Sequence, residues 1–273
     1  MDVVDVALLL TCVAFLVYGG GMSPKKTVDA SGDVAVVGMV IERAGDVLNF
    51  TLDNTEHGNE VTGEMLDAML EVLRAEAARP SARVLRIRAR GKVFCTGRER
   101  AGRDVEAIRR EAARVMELKR VLRGSPLISV AEVQGDAFGF GFGLAIVCDF
   151  ILVAENAALG FPEMRSGLPP AVIMAYLGEY TLPRFAFPMV LLGNPIAPGR
   201  ALQIGLVSQV VTAKRLAGEG DALVKRILDL DPGAARRCKE FFQTAQQNSF
   251  DQNCRLAVEA LTVGSLTALS RKK

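Results

Sequence analysis

The chain has no tryptophan, three tyrosines and a single histidine, His57, in 273 residues. One histidine excludes a histidine-built metal centre, and His57 reads as a surface turn residue. The five cysteines, Cys12, Cys95, Cys148, Cys238 and Cys254, show no Cys-x-x-Cys spacing. A zinc ribbon or a disulfide framework is therefore excluded; no metal is expected, and the compartment is expected to be reduced and cytoplasmic. An excess of one charge is missing too. Lys and Arg number 33 against 31 Asp and Glu, net +2, with no basic block to hold a nucleic acid. The local clusters Arg98-Glu99-Arg100 with Arg103, and Arg271-Lys272-Lys273, read as solvated faces unless a phosphate-bearing ligand lies near. The apolar run at residues 7–18 falls short of the roughly 20 residues a membrane span needs. Asp2 and Asp5 flank it where a signal peptide carries positive charge. Residues 1–21 are expected to be an extension outside the domain, which starts near Met22; an interfacial anchor is the alternative, and a membrane partner is not expected.

What is present is enough for a large core: half the residues are hydrophobic and 23% are charged. Residues 34–41 and 47–52 read as strands split by the hairpin signal Gly45-Asp46. Thr62 is placed to cap a helix carrying Met65, Leu66, Met69, Leu70 and Leu73 at helical spacing. A strand over 84–89 leads to Phe94-Cys95-Thr96-Gly97. The pattern over 105–122 predicts a helix with Val105, Ile108, Val115, Leu118 and Leu122 on one face and the charged residues on the other. Strands are predicted over 128–133 and 150–154, with a buried helix over 144–147 between them. From 182 onward helices dominate, over 182–192, 198–204, 214–228, 232–247 and 253–270. This alternation predicts α/β with a helical C-terminal region.

Two segments concentrate the chemistry. Gln134-Gly135-Asp136-Ala137-Phe138-Gly139-Phe140-Gly141-Phe142-Gly143 is dense in glycine, which lets backbones approach closely and leaves N–H groups free at a turn. Phe161-Pro162-Glu163-Met164-Arg165-Ser166-Gly167-Leu168-Pro169-Pro170 places a carboxylate nearby. Free N–H donors can hold an oxyanion, and a carboxylate can move a proton. Glu163 is the first acid/base candidate and Asp136 the second, whereas Asp149 reads as structural.

Together with Leu52-Asp53-Asn54 and Asn59, Val93-Phe94-Cys95-Thr96-Gly97-Arg98-Glu99, Cys148-Asp149 and Ala201-Leu202-Gln203-Ile204-Gly205, these segments resemble the crotonase superfamily in order and spacing. The resemblance runs from about Val34 to the C-terminus. It implies a crotonase-like spiral of ββα units over 22–212 and a helical trimerisation region over 213–273, assembled as a homotrimer or homohexamer. It implies an enzyme acting on an acyl-CoA thioester, with coenzyme A part of the substrate and no separate cofactor. The oxyanion hole falls on the N–H groups of Arg98 and Phe140, and the proton-transfer carboxylate on Glu163. Cys95, Gly97, Gly139, Gly143, Phe138 and Phe161 are expected to line the substrate, and the phenylalanines to favour an apolar or aromatic acyl group. The sequence departs from the family at two places. Gly143 stands where family hydratases carry a first glutamate, and Glu56 where a basic residue meets the CoA phosphates. The first departure suits a one-carboxylate isomerase or a hydratase relying on Glu163. Together they keep open a catalytically weak acyl-CoA-binding protein, and the N-terminal run keeps open a membrane-associated interaction protein.

Overall fold

A computed structural model describes residues 26–28, 34–100, 102 and 104–270. The N-terminal extension, Arg103 and the basic tail lie outside them. Four antiparallel strands come first: β1 (Lys26–Val28), β2 (Val34–Val36), β3 (Met39–Ala44) and β4 (Val47–Leu52). The hairpin falls at Gly45-Asp46 as expected. The apolar run at 34–41 is broken, however, by a turn at Val37-Gly38. Gly38 takes φ +86, which side chains resist, and a Cβ there would press on Asn54 at 3.0 Å.

Next come α1 (Gly63–Ala78), β5 (Val84–Ala89), α2 (Val105–Arg123) and β6 (Ile128–Val133). Thr62 caps α1, its hydroxyl accepting from the Met65 N–H at 3.3 Å. A short strand β7 (Ala137–Phe138), α3 (Phe140–Ile146), β8 (Phe150–Ala154) and a second short strand β9 (Leu159–Gly160) follow. Then α4 (Ala171–Met174), α5 (Pro183–Leu192), α6 (Pro198–Gln203) and β10 (Gln209–Val211) lead to α7 (Leu216–Leu228), α8 (Pro232–Ala245) and α9 (Phe250–Ser270). The main sheet has eight strands in the order β1-β2-β3-β4-β5-β6-β8-β10, parallel from β4 onward, while β7 and β9 form a separate parallel pair.

Parallel strands need cover on both faces, and their alternation supplies it. Leu85, Ile87, Ala131, Val133, Ile151 and Val153 join the core that holds Met69 of α1 and Leu118 of α2. The intervening Val84, Val130 and Leu152 pack against Leu216, Val224 and Ile227 of α7. Arg86 and Glu132 are buried there too, joined at 2.6 Å, with Asp221 of α7 completing the network at 2.8 Å. Lys239 locks α8 onto the core, donating to the Leu127 carbonyl and to Asp149, each at 2.7 Å. Asp149 is thus structural, as read. Leu256, Val258, Leu261 and Val263 of α9 are exposed. Among the described residues no helix is long and apolar enough to cross a membrane.

One helix departs from its expected pattern. On α2, Val105 and Ile108 are exposed, whereas Glu111 and Lys119 lie buried with Val115, Leu118 and Leu122. Spacings of four, seven, eight and eleven residues from Glu111 form one stripe, so these two charges share the core-facing side.

Candidate active site

Backbone bonds bring the two glycine turns together. The Phe94 and Cys95 N–H groups donate to the Asp136 carbonyl at 3.0 and 3.2 Å, and the Phe138 N–H to the Cys95 carbonyl at 2.9 Å. Such contact requires glycine: a Cβ at Gly135 would collide with the Lys92 carbonyl, and one at Gly141 with Cys95. Asn59 holds the approach to the first turn from behind. Its amide donates to the Arg90 and Val93 carbonyls at 2.9 and 2.7 Å and accepts from the Asn54 N–H at 2.8 Å, with its own backbone at φ +56.

This packing leaves two N–H groups unused. Val61 pairs with the peptides on either side of Arg98, through Gly97 at 3.2 Å and Glu99 at 3.0 Å, which turns the Arg98 N–H to the opposite side. Phe140 opens α3, where an N–H has no acceptor within the helix, and the Asp136 carbonyl is already taken. Among the described residues neither N–H has a hydrogen-bond acceptor.

Glu163 sits in the 3-10 turn Pro162–Ser166, which follows β9. Its Oε1 lies 3.0 Å from where a Cβ on Gly139 would be, so glycine is what admits the carboxylate to this turn. Its Oε2 is buried with no hydrogen-bond partner. Burial pushes this carboxyl above the ordinary range, against a weaker opposing pull from Arg100 and Arg98. A cavity of about 240 Å³ adjoins the turns, lined among others by Val61, Leu66, Arg98, Arg100, Glu111 and Phe140. Across it the Arg98 guanidinium pairs with the buried Glu111 carboxylate.

Other expected site residues are placed differently. The Asp136 carboxylate accepts from the Ala158 N–H at 2.8 Å and ties β7 to the segment before β9, a structural task. Phe161 is fully buried and stacks on Phe142 at 5.3 Å, so these two rings are core and do not line the substrate. Phe138 is half-buried, and Phe140 reaches the cavity among charged neighbours; the apolar acyl site expected from the phenylalanines is not what they build. Cys95 is fully buried, its thiol pushed up to about 12 by burial, and Cys148 likewise, as core residues should be. Gly97 makes the extended turn before Arg98.

At Gly143 the space is filled. A Cβ there would meet the Tyr176 hydroxyl at 2.6 Å and Ile173 Cδ1 closer still, and Tyr176 donates to the Gly143 carbonyl at 3.1 Å. Neither Tyr176 nor Ile173 was assigned to the site from sequence. Lys119 was also missed: its Nζ lies 3.5 Å from the Phe140 carbonyl and 4.4 Å from the centre of the Phe140 ring. The sequence signal for it was a lysine four residues after Val115, inside the apolar stripe.

The family model for enoyl-CoA hydratase/isomerase matches residues 42–267. The zebrafish protein named enoyl-CoA hydratase domain-containing protein 3, mitochondrial, is 26% identical over 89% of this chain and 86% of its own length. The hydroxycinnamoyl-CoA hydratase-lyase of Pseudomonas fluorescens is 25% identical over 74% of this chain and 76% of its own. Among solved structures, the enoyl-CoA hydratase of Mycobacterium smegmatis superposes with a TM-score of 0.80 at 23% identity, covering 86% of this chain and 97% of that one. A Thermobifida fusca protein of the enoyl-CoA hydratase type, in complex with acetoacetyl-CoA, superposes with a TM-score of 0.77 at 26% identity over 86% and 95%. The matched range includes the turns that carry Arg98, Phe140 and Glu163, and the chain belongs to the enoyl-CoA hydratase/isomerase family of the crotonase superfamily.

Proposed function

We propose that the protein shifts the double bond of an enoyl-CoA thioester, with Glu163 carrying the proton between two carbons. The thioester oxygen sits between the Arg98 and Phe140 N–H groups, and the acyl group extends into the adjoining cavity. Removing an allylic proton places negative charge on that oxygen. Two preorganised donors stabilise it, by roughly 3–4 kcal/mol each as a guide. Glu163 accepts the proton and returns it to another carbon, so charge and atoms balance without water. Arg100, which lines the cavity, is available to an anionic part of the ligand. We also propose that the exposed apolar residues of α9 pack on other copies of the chain, in a trimer or hexamer.

One observation carries the choice of isomerisation over hydration. Hydration uses one carboxylate to activate water and another to manage the second proton. At Gly143 the place of the other carboxylate is taken by Tyr176 and Ile173, which supports a single-base shuttle. The test is Glu163→Gln, which keeps size and polarity but cannot accept a proton. Turnover of a 3-enoyl-CoA should slow roughly 100-fold or more while binding of an unreactive CoA ester is retained. On the acid limb of the profile, kcat/KM of the unmodified protein should rise with pH as the Glu163 carboxyl, held above the ordinary range, gives up its proton. Full activity in a folded Glu163→Gln protein, or mass gain by water as the main outcome, would overturn the proposal.

A further inference from the structure

Lys119 is 3% exposed, and its ammonium lies against the Phe140 turn, one of the two whose N–H groups make the proposed thioester site. Its Nζ is 3.5 Å from the Phe140 carbonyl, 4.4 Å from the Phe140 ring centre and 3.7 Å from where a Cβ on Gly143 would stand. The Phe140 ring lines the cavity; Lys119 lies behind it. We propose that Lys119 is a positioning residue of the thioester site: its buried ammonium fixes the Phe140 turn through that carbonyl and ring, and its positive charge favours the enolate that the Phe140 N–H receives. The inference rests on the reading of the site given above.

Among the described residues no carboxylate pairs with the ammonium. Cys95 of the first turn and Cys148 after α3 face it, and burial keeps both thiols protonated, at about 12. The Tyr176 hydroxyl, beside the same point at Gly143, is pushed up by burial and is neutral as well. Glu111, two turns earlier on α2, is engaged by Arg98. A charge in such a place is destabilising until an anion arrives near it. A thioester enolate is that anion. Burial lowers the Lys119 amine to about 7, so the free protein loses its charge as pH rises through that value.

The inference predicts three readouts in the full chain. First, bound acetoacetyl-CoA, followed by the near-ultraviolet absorbance of its enolate at about pH 6, should show roughly tenfold less enolate in Lys119→Met than in the unmodified protein. Second, kcat on a 3-enoyl-CoA should fall about 10- to 100-fold with KM changed far less. Third, the unmodified protein should lose kcat/KM as pH rises through about 7, and Lys119→Met should lack that limb. Lys119→Gln keeps a donor for the Phe140 carbonyl without the charge and should recover little of the enolate. Enolate and kcat equal to the unmodified protein in either variant would overturn the inference. If neither variant folds, the unmodified protein still decides: a kcat/KM flat from about pH 6 to about pH 9 overturns it. Failure of the unmodified protein to bind any CoA thioester is a different result, which removes the reading of the site itself.

Discussion

Lys119 on α2 and Lys239 on α8 are both buried, at 3% and 8% exposure, yet their surroundings differ. Lys239 meets a carboxylate and a carbonyl, Asp149 and Leu127, each at 2.7 Å, and Asp149 is held in turn by the Ser129 N–H and hydroxyl at 2.7 Å. Every group in that cluster has a partner, as a buried ion pair needs. Lys119 meets a carbonyl at 3.5 Å, a ring face and two protonated thiols. One lysine fastens a helix to the sheet, and its cluster is complete. The other stands beside the paired glycine turns and is left short of a counter-charge. A fold tolerates such a shortfall where a ligand makes it good.

Removing the complete cluster should have the largest effect. Lys239→Met leaves Asp149 with its Ser129 bonds alone and unfastens α8, at a cost of about 2–4 kcal/mol in urea unfolding. A loss below about 0.5 kcal/mol would erase the contrast between the two lysines.

The incomplete site predicts the opposite sign. The Lys119 amine titrates at about 7 in the folded chain against 10.5 as a free side chain, so between these values the unfolded chain binds one more proton. Stability should therefore rise with pH across that window, by up to about 1.4 kcal/mol per unit from this group. Lys119→Met should remove that rise and leave the protein more stable at pH 7, by chemical unfolding at several pH values. Equal slopes in the two proteins would show that Lys119 is not short of a partner.

A carboxylate at Gly143 would make the two sites alike, since the Cβ carrying it would stand 3.7 Å from Lys119 Nζ. It would also displace Ile173 and Tyr176, so Gly143→Glu should destabilise by about 1–3 kcal/mol while flattening the pH slope of stability. A stable variant with new hydratase turnover would instead show that the pocket gives way.

The smallest effect tests whether the approach to the site is independent of the lysines. Thr62→Ala removes the α1 cap and should cost about 1 kcal/mol at every pH. A pH-dependent loss would couple α1 to Lys119.

Much of this protein follows from local pattern alone. Alternation placed β5, and short apolar runs placed β6 and β8, because a strand buried on both faces admits few polar residues and stops at turn residues. Thr62 announced α1, and glycine density announced turns that approach each other. Those turns and Glu163 could be found because a backbone N–H and a lone carboxylate depend little on the surrounding side chains. Tertiary structure decided the rest. Phe161 and Phe142 look like ligand contacts in a row of aromatics, and only the sheet-to-turn packing shows them stacked on each other. Asp136 and Glu163 are both carboxylates near glycines; one is spent on the Ala158 N–H and the other keeps an oxygen free, a difference made by a peptide 22 residues away. Lys119 of α2 meets Ile173 of α4 and Tyr176 of the turn after it at Gly143 only when the chain is closed. Periodicity reports which side of a helix faces inward; what waits there, and whether it completes a charge, is settled by the partner element.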